Sequence, residues 1–103
     1  MIVVRRDLVE AYFRKAAGSA GVSAGRTAYG AWLSIAQATR WRTPMDVKRS
    51  HPKASILRGG RVVFNIKGNS YRLVTQINYA AETVEIRFFG SHAEYDEIDA
   101  GAV

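Results

Sequence analysis

From residue 61 the polar and apolar positions alternate. In "RVVFNIKGNSYRLV", Val62, Phe64 and Ile66 share one side of an extended chain and Arg61, Val63, Asn65 and Lys67 the other; a period of two marks a β-strand with one buried face. Gly68-Asn69 follows, a pair that tolerates positive φ, so a two-residue hairpin turn is predicted there. Such a turn sets Phe64 opposite Leu73, Val62 opposite Thr75 and Asn65 opposite Arg72, and the apolar positions of the two strands then coincide. A third strand is predicted over 84–90, after a loop at 80–83. Pairing Tyr79 with Val84 sets Thr75 opposite Phe88, Ile77 opposite Ile86 and Arg72 opposite Ser91, with His92 just beyond the strand.

Upstream the period lengthens. Residues 2–5 form a short β-branched run suited to a strand, and Asp7 offers an N-cap for a helix carrying Leu8, Ala11, Tyr12 and Lys15 as far as Gly18. Residues 18–25, rich in Ser, Ala and Gly, read as a loop. Over 27–39, Ala28, Ala31, Trp32, Ile35, Ala36 and Ala38 fall at helical spacing, with Trp32 as a core anchor. Residues 41–54, broken by Pro44 and Pro52, read as an irregular basic connection with one helical turn after Pro44, and His51 as a surface residue. "HAEYDEIDA" closes the chain as a short acidic helix with Tyr95 one turn after His92. These elements add up to an α+β domain spanning 1–103: two N-terminal helices on one face of a mainly antiparallel twisted sheet, and a short C-terminal helix.

Composition narrows the function. A chain of 103 residues with 48% hydrophobic content has room for one core and is not a disordered class. The absence of cysteine removes disulfides, thiolate nucleophiles and Cys-type zinc sites. With no signal-peptide pattern and no apolar stretch of membrane-spanning length, the expectation is a cytoplasmic protein with no membrane partner. Two histidines and scattered carboxylates show no ligand spacing, and no Gly-rich loop with Lys-Ser/Thr occurs, so no metal and no cofactor are expected.

Charge is unevenly spread. The formal net charge is +6. Arg40, Arg42, Lys48, Arg49, Lys53, Arg58, Arg61, Lys67 and Arg72 crowd the middle of the chain against Asp46 alone, whereas 93–103 holds Glu94, Asp96, Glu97 and Asp99 and no cation. A cationic middle segment reads as a footprint for a polyanion, nucleic acid first.

The predicted register puts Asn65, Lys67, Arg72, Gln76 and Arg87 on a helix-free sheet face bordered by His92. Cleavage of RNA by its own 2′-hydroxyl suits such a face, because it needs a base, cations to stabilise the phosphorane and an acid for the 5′-oxygen, and no cofactor. Imidazole titrates near ~6.5, so His92 can exchange that proton. Lys67 and Arg72 would hold the phosphate, and Tyr95 would orient the substrate or stack under a base. Arg61, Asn69 and Arg87 are expected RNA contacts around them. Each residue has a plainer reading: His92 as a helix-end residue, Arg72 as sheet decoration, Tyr95 as core packing. The whole face could instead bind RNA or the ribosome without cutting, or serve as a protein-interaction surface for an acidic partner.

"WRTPMDVK", "RVVFNIKGNSYRL" and "IRFFGSHAEYDEID" resemble, in order and spacing, the successive motifs of the HigB-type toxins of bacterial toxin–antitoxin modules, in the RelE superfamily of ribosome-dependent mRNA endonucleases. The resemblance covers roughly residues 41–100. It implies a RelE-like fold, metal-independent cleavage of mRNA in the A site of the 30S subunit to a 2′,3′-cyclic phosphate, and neutralisation by a HigA-type antitoxin. That antitoxin would carry a helix-turn-helix domain and would be the only route to operator DNA. The hairpin arginine of the family falls on Arg72, and the G-[ST]-H element on Gly90, Ser91 and His92, with serine where threonine is usual. Tyr95 matches the tyrosine of the HAEYD segment, and Lys67 and Lys48 stand at basic positions beside these motifs as phosphate contacts.

Overall fold

A computed structural model describes residues 1–103 as five strands and four α-helices, in the order β1 (Ile2–Val4), α1 (Asp7–Lys15), α2 (Val22–Ala38), α3 (Pro44–Ser50), β2 (Ser55–Ile56), β3 (Arg61–Ile66), β4 (Tyr71–Asn78), β5 (Thr83–Ser91) and α4 (His92–Tyr95). The strands make one mixed sheet in the order β1-β5-β4-β3-β2. Only β1 runs parallel to its neighbour, pairing Val3 with Val84; every other pair is antiparallel. No helix is long and apolar enough to cross a membrane.

One sheet face carries the main core. Val62, Phe64 and Ile66 of β3, Tyr71, Leu73 and Ile77 of β4, and Val84, Ile86 and Phe89 of β5 join Val9 and Phe13 of α1, Tyr29, Trp32 and Ala36 of α2, and Val47 of α3 in a single buried cluster. Burial of these side chains is the main stabilising term, each contributing about 1.5–3 kcal/mol. Helix α2 presents Gly25, Tyr29, Trp32 and Ala36 at helical spacing. Its glycine matters, because a Cβ at Gly25 would lie 2.5 Å from the Tyr71 ring.

The β3–β4 register is the one the alternation predicts, with Phe64 opposite Leu73, Val62 opposite Thr75 and Asn65 opposite Arg72. The turn between them differs by one residue: left-handed backbone falls on Lys67 (φ 55°) and Gly68 (φ 59°), not on Asn69. The β4–β5 register departs from expectation. Asn78 Oδ1 accepts the Ala81 amide at 2.9 Å, a side-chain cap on the turn, and the ladder ends with Asn78 paired to Thr83. A β-bulge follows: Thr75 pairs with Ile86 and Val74 with Phe88, leaving Arg87 as the extra residue. Arg72 therefore stands opposite Gly90 and not Ser91, and Tyr71 opposite Ser91. The bulge also inverts the alternation, so Phe89 enters the core and Phe88, expected there, does not.

The opposite sheet face is free of N-terminal helices, yet it is not bare. Val63 and Val74, cross-strand partners, are buried on it outside the main cluster. The C-terminal residues lie against this face: the Arg61 guanidinium donates to the backbone oxygens of Ala100, at 3.1 Å, and Val103, and Arg87 Nε donates to Val103 at 3.1 Å. Arg61 and Arg87 thus fasten the end of the chain to this face through its backbone oxygens.

Local boundaries move as well. Asp7 is the first residue of α1 and does not cap it; the N-cap is Arg6, with no side-chain bond, and Asp7 pairs with Arg5 at 3.1 Å. The loop expected at 18–25 gives way to helix at Val22, after a left-handed Gly21. The inward residues of α1 are Val9 and Phe13, with Ala11 turned out, and Ile35 of α2 is exposed while Tyr29 is buried. Residues 44–50 make two helical turns, with Pro44 at the start and Thr43 as N-cap accepting the Asp46 amide.

Candidate functional site

The edge of the outer face where the β3–β4 turn meets the start of α4 gathers the reactive side chains. Arg72, the non-bulged partner of Asn65, projects there because its neighbours Tyr71 and Leu73 are drawn into the core. Its NH1 group donates to the carbonyls of Asn69 (3.1 Å) and Tyr71 (3.2 Å). The guanidinium carbon lies 5.9 Å from the centre of the Tyr95 ring, a cation–π geometry. Opposite Arg72 stands Gly90, whose missing side chain leaves room that the Phe88 ring and Glu94 would otherwise contest.

Helix α4 is short, so its position depends on its cap. Ser91 Oγ accepts the Glu94 amide at 3.1 Å and Glu94 Oε1 accepts the Ser91 amide at 2.8 Å, a complete capping box. Tyr12 of α1 donates its hydroxyl to the same Glu94 oxygen at 2.8 Å. Burial, then this carboxylate, pushes the Tyr12 hydroxyl up to about 12. The Ser91 amide holds the Glu94 carboxyl below its ordinary value, against a smaller opposing effect of burial. The His92 amide donates to Ser70 at 3.0 Å, tying the helix to the β3–β4 turn.

His92 is half-exposed and its Nδ1 lies 3.0 Å from Asp96 Oδ2, one turn on. That contact leaves Nε2 free to meet a substrate. Asp96 escaped the sequence reading, although the i, i+4 spacing of His and Asp in "HAEYD" is the signal that could have found it.

The remaining expected contacts are placed differently. Lys67 sits in the exposed turn, but its ammonium lies toward the helix side, 3.3 Å from where a Cβ at Gly21 would stand. Lys48 Nζ donates to the carbonyls of Pro52 (2.6 Å) and Ala54 (2.9 Å) and so fastens the α3–β2 connection. Arg61 is divided between Gln76 (3.0 Å) and the C-terminal carbonyls, and Arg87 between Val103 and Glu85. Asn69 lends its carbonyl to Arg72 and keeps its side chain exposed. The geometry thus brings Arg72 against Tyr95, places His92 one turn earlier on the same helix, and engages Lys48, Arg61 and Arg87 with backbone oxygens of the chain. No group of three His, Cys, Asp or Glu residues is arranged to hold a metal ion.

His51 corrects another expectation. Far from being a surface residue, it is half-buried, edge-on to Trp41 (5.8 Å between ring centres) and Phe64 (5.1 Å). Burial depresses its basicity.

The model of a family described as HigB_toxin, the RelE-like toxic component of a toxin-antitoxin system, matches residues 26–98. No curated protein matches the chain.

Proposed function

Since the chain belongs to the HigB toxins, RelE-like toxic components of toxin–antitoxin systems, we propose that it is an mRNA endonuclease of RelE-like fold that works on the ribosome in the cytoplasm. The observation that carries this reading is the approach of the Arg72 guanidinium to Tyr95 beside a half-exposed His92 oriented by Asp96. A phosphodiester laid across this edge meets one fixed cation and one proton-exchanging group.

In the reaction a 2′-hydroxyl loses its proton and its oxygen bonds to the adjacent phosphorus. The bond from phosphorus to the 5′-oxygen breaks, that oxygen takes up a proton, and a 2′,3′-cyclic phosphate remains. Arg72 holds the non-bridging oxygens as negative charge gathers on them. His92 exchanges a proton through Nε2. Tyr95 keeps the guanidinium in place and offers its hydroxyl for substrate orientation. Asn69, exposed in the neighbouring turn, draws in the flanking backbone, and Lys67 joins it by swinging its ammonium away from Gly21. The partner that silences the toxin is a HigA-type antitoxin with a helix-turn-helix domain, covering this edge and supplying the only contact with operator DNA.

Induction of the chain in bacteria, with mapping of transcript 5′ ends, tests the proposal. New ends appear with the wild type, and Arg72→Ala removes them, losing at least ~2 kcal/mol of transition-state stabilisation. Growth arrest without new ends, or undiminished arrest in His92→Ala, would instead mean that the face binds the ribosome without cutting.

A further inference from the structure

Arg61 of β3 and Arg87 of β5 meet across Gln76 of β4 on the outer sheet face. Arg61 stands opposite Gln76, and Gln76 opposite Glu85. Both guanidiniums donate to one atom, the backbone oxygen of Val103, Arg61 through NH1 and Arg87 through Nε at 3.1 Å. Gln76 Oε1 accepts from Arg61 Nε at 3.0 Å and Glu85 Oε1 from Arg87 NH1 at 3.2 Å, so both groups are held in place. Two arginine forks converging on one oxygen, with a single carboxylate beside them, suit a phosphate. The oxygens found there belong to the chain itself. Asp99 Oδ1 accepts the Gly101 amide at 2.9 Å, and the Asp99 carbonyl accepts the amides of Ala102 (3.0 Å) and Val103 (3.1 Å). This turn aims the Ala100 and Val103 oxygens at Arg61. Its hold is light, because no residue from 92 to 103 is buried, and a segment with few buried apolar contacts opens at small cost.

We propose that residues 99–103 form an autoinhibitory strap, whose backbone oxygens occupy a second RNA-phosphate subsite made by Arg61 and Arg87 and keep single-stranded RNA from it in the free protein. Position agrees with this ligand. Gln76, between the two arginines, lies four residues along β4 from Arg72 and on the same face, a span of ~13 Å, so a strand held at Arg72 can extend over this part of the sheet. Charge agrees as well. The segment that carries the strap holds Asp96, Glu97 and Asp99, and so opposes a polyanion by repulsion as well as by occupancy. A phosphate offers each guanidinium a bidentate pair that a backbone oxygen cannot, which makes the strap a weaker occupant than the ligand it excludes. The proposal takes its ligand class from the ribonuclease reading and adds to it a control on how much RNA the face can grip.

The test is fluorescence anisotropy of the whole protein with a short labelled 2′-O-methyl RNA, which lacks the attacking hydroxyl, over a range of salt. Asp99→Ala opens the turn and binds about fivefold more tightly than the wild type, the scale of one lost hydrogen bond. Its log–log salt slope steepens by ~0.7, one further phosphate on a single strand. Asp99→Asn removes the charge but keeps an oxygen for the Gly101 amide, and it stays close to the wild type. Adding Arg61→Gln to Asp99→Ala abolishes both gains. Residue 99 is exposed, so these variants keep the core and melt close to the wild type. Unchanged affinity in Asp99→Ala, an equal gain in Asp99→Asn, or a gain that survives Arg61→Gln overturns the proposal. A gain in affinity for the antitoxin and none for RNA also overturns it. The assay reads binding without cleavage, so its failure leaves the nuclease reading standing, whereas loss of that reading shows only in the transcript ends.

Discussion

His51 and Arg72 show how neighbours decide what a side chain does. Arg72 is an ordinary strand residue by sequence position, but its guanidinium is braced by two carbonyls and an aromatic ring, so little ordering remains to be done when a phosphate arrives. His51 is the reverse case, a titratable ring placed where its charge is unwelcome. Its folded pKa lies below the ordinary histidine value of 6.5 because burial disfavours the cation. Between the folded and unfolded values the unfolded chain binds more protons, so stability is complete above pH ~6.5 and declines as the pH falls toward the folded value. Thermal melting followed from pH 7.5 down to 5 should show that decline, and His51→Phe should flatten it. Glu94, also depressed, loses its contribution only below its ordinary value of 4.5, so the two effects separate along the pH axis.

The elements carry the site by means that single residues do not reveal. Helix α4 has too few residues to be stable alone and is held by the Ser91–Glu94 box, the Tyr12 hydroxyl and the Ser70 carbonyl. Ser91→Ala should lower stability by about 1 kcal/mol in chemical denaturation and should reduce cleavage by a protein that is still folded, because His92 and Tyr95 both ride on this helix. Helix α2 offers a paired test. At Gly30 nothing lies within 4 Å of an added Cβ, so Gly30→Ala should stabilise by ~0.5–1 kcal/mol. At Gly25 the same methyl meets the Tyr71 ring at 2.5 Å, and that ring is stacked on Phe89 at 5.4 Å between centres. Overpacking outweighs helix propensity there, and Gly25→Ala should lower the melting temperature, with a net loss of about 1 kcal/mol or more.

For the whole molecule the decisive feature is how the two sheet faces are used. One is filled by α1, α2 and α3; the other is shared between the acidic C-terminal residues and the edge bearing Arg72. The net charge of +6 overstates the cations free to meet RNA, because Lys48, Arg61 and Arg87 are engaged with backbone oxygens. A site using about three phosphates should lose roughly 10–20-fold in single-stranded RNA affinity between 50 and 200 mM salt, measured by fluorescence anisotropy. A much steeper loss would mean that the tail had left the sheet and released Arg61 and Arg87.

Alternation of apolar residues in β3 and β4 determined their pairing without any structure, because a one-residue slip would turn a whole apolar face to water. The same pattern located the hairpin and Arg72, helical spacing marked α1 and α2, and the quoted motifs carried the family, whereas β2 and the second turn of α3 lay in a stretch read as an irregular connection. Tertiary structure alone decided the rest. The turn capped by Asn78 and the bulge at Arg87 reset the register of β5, which alternation cannot foresee, since a bulge inverts it. Which cations stay free depended on where the tail and the α3–β2 connection run. His51 became half-buried because Trp41 and Phe64 come to lie against its ring, a long-range outcome that nothing near position 51 encodes.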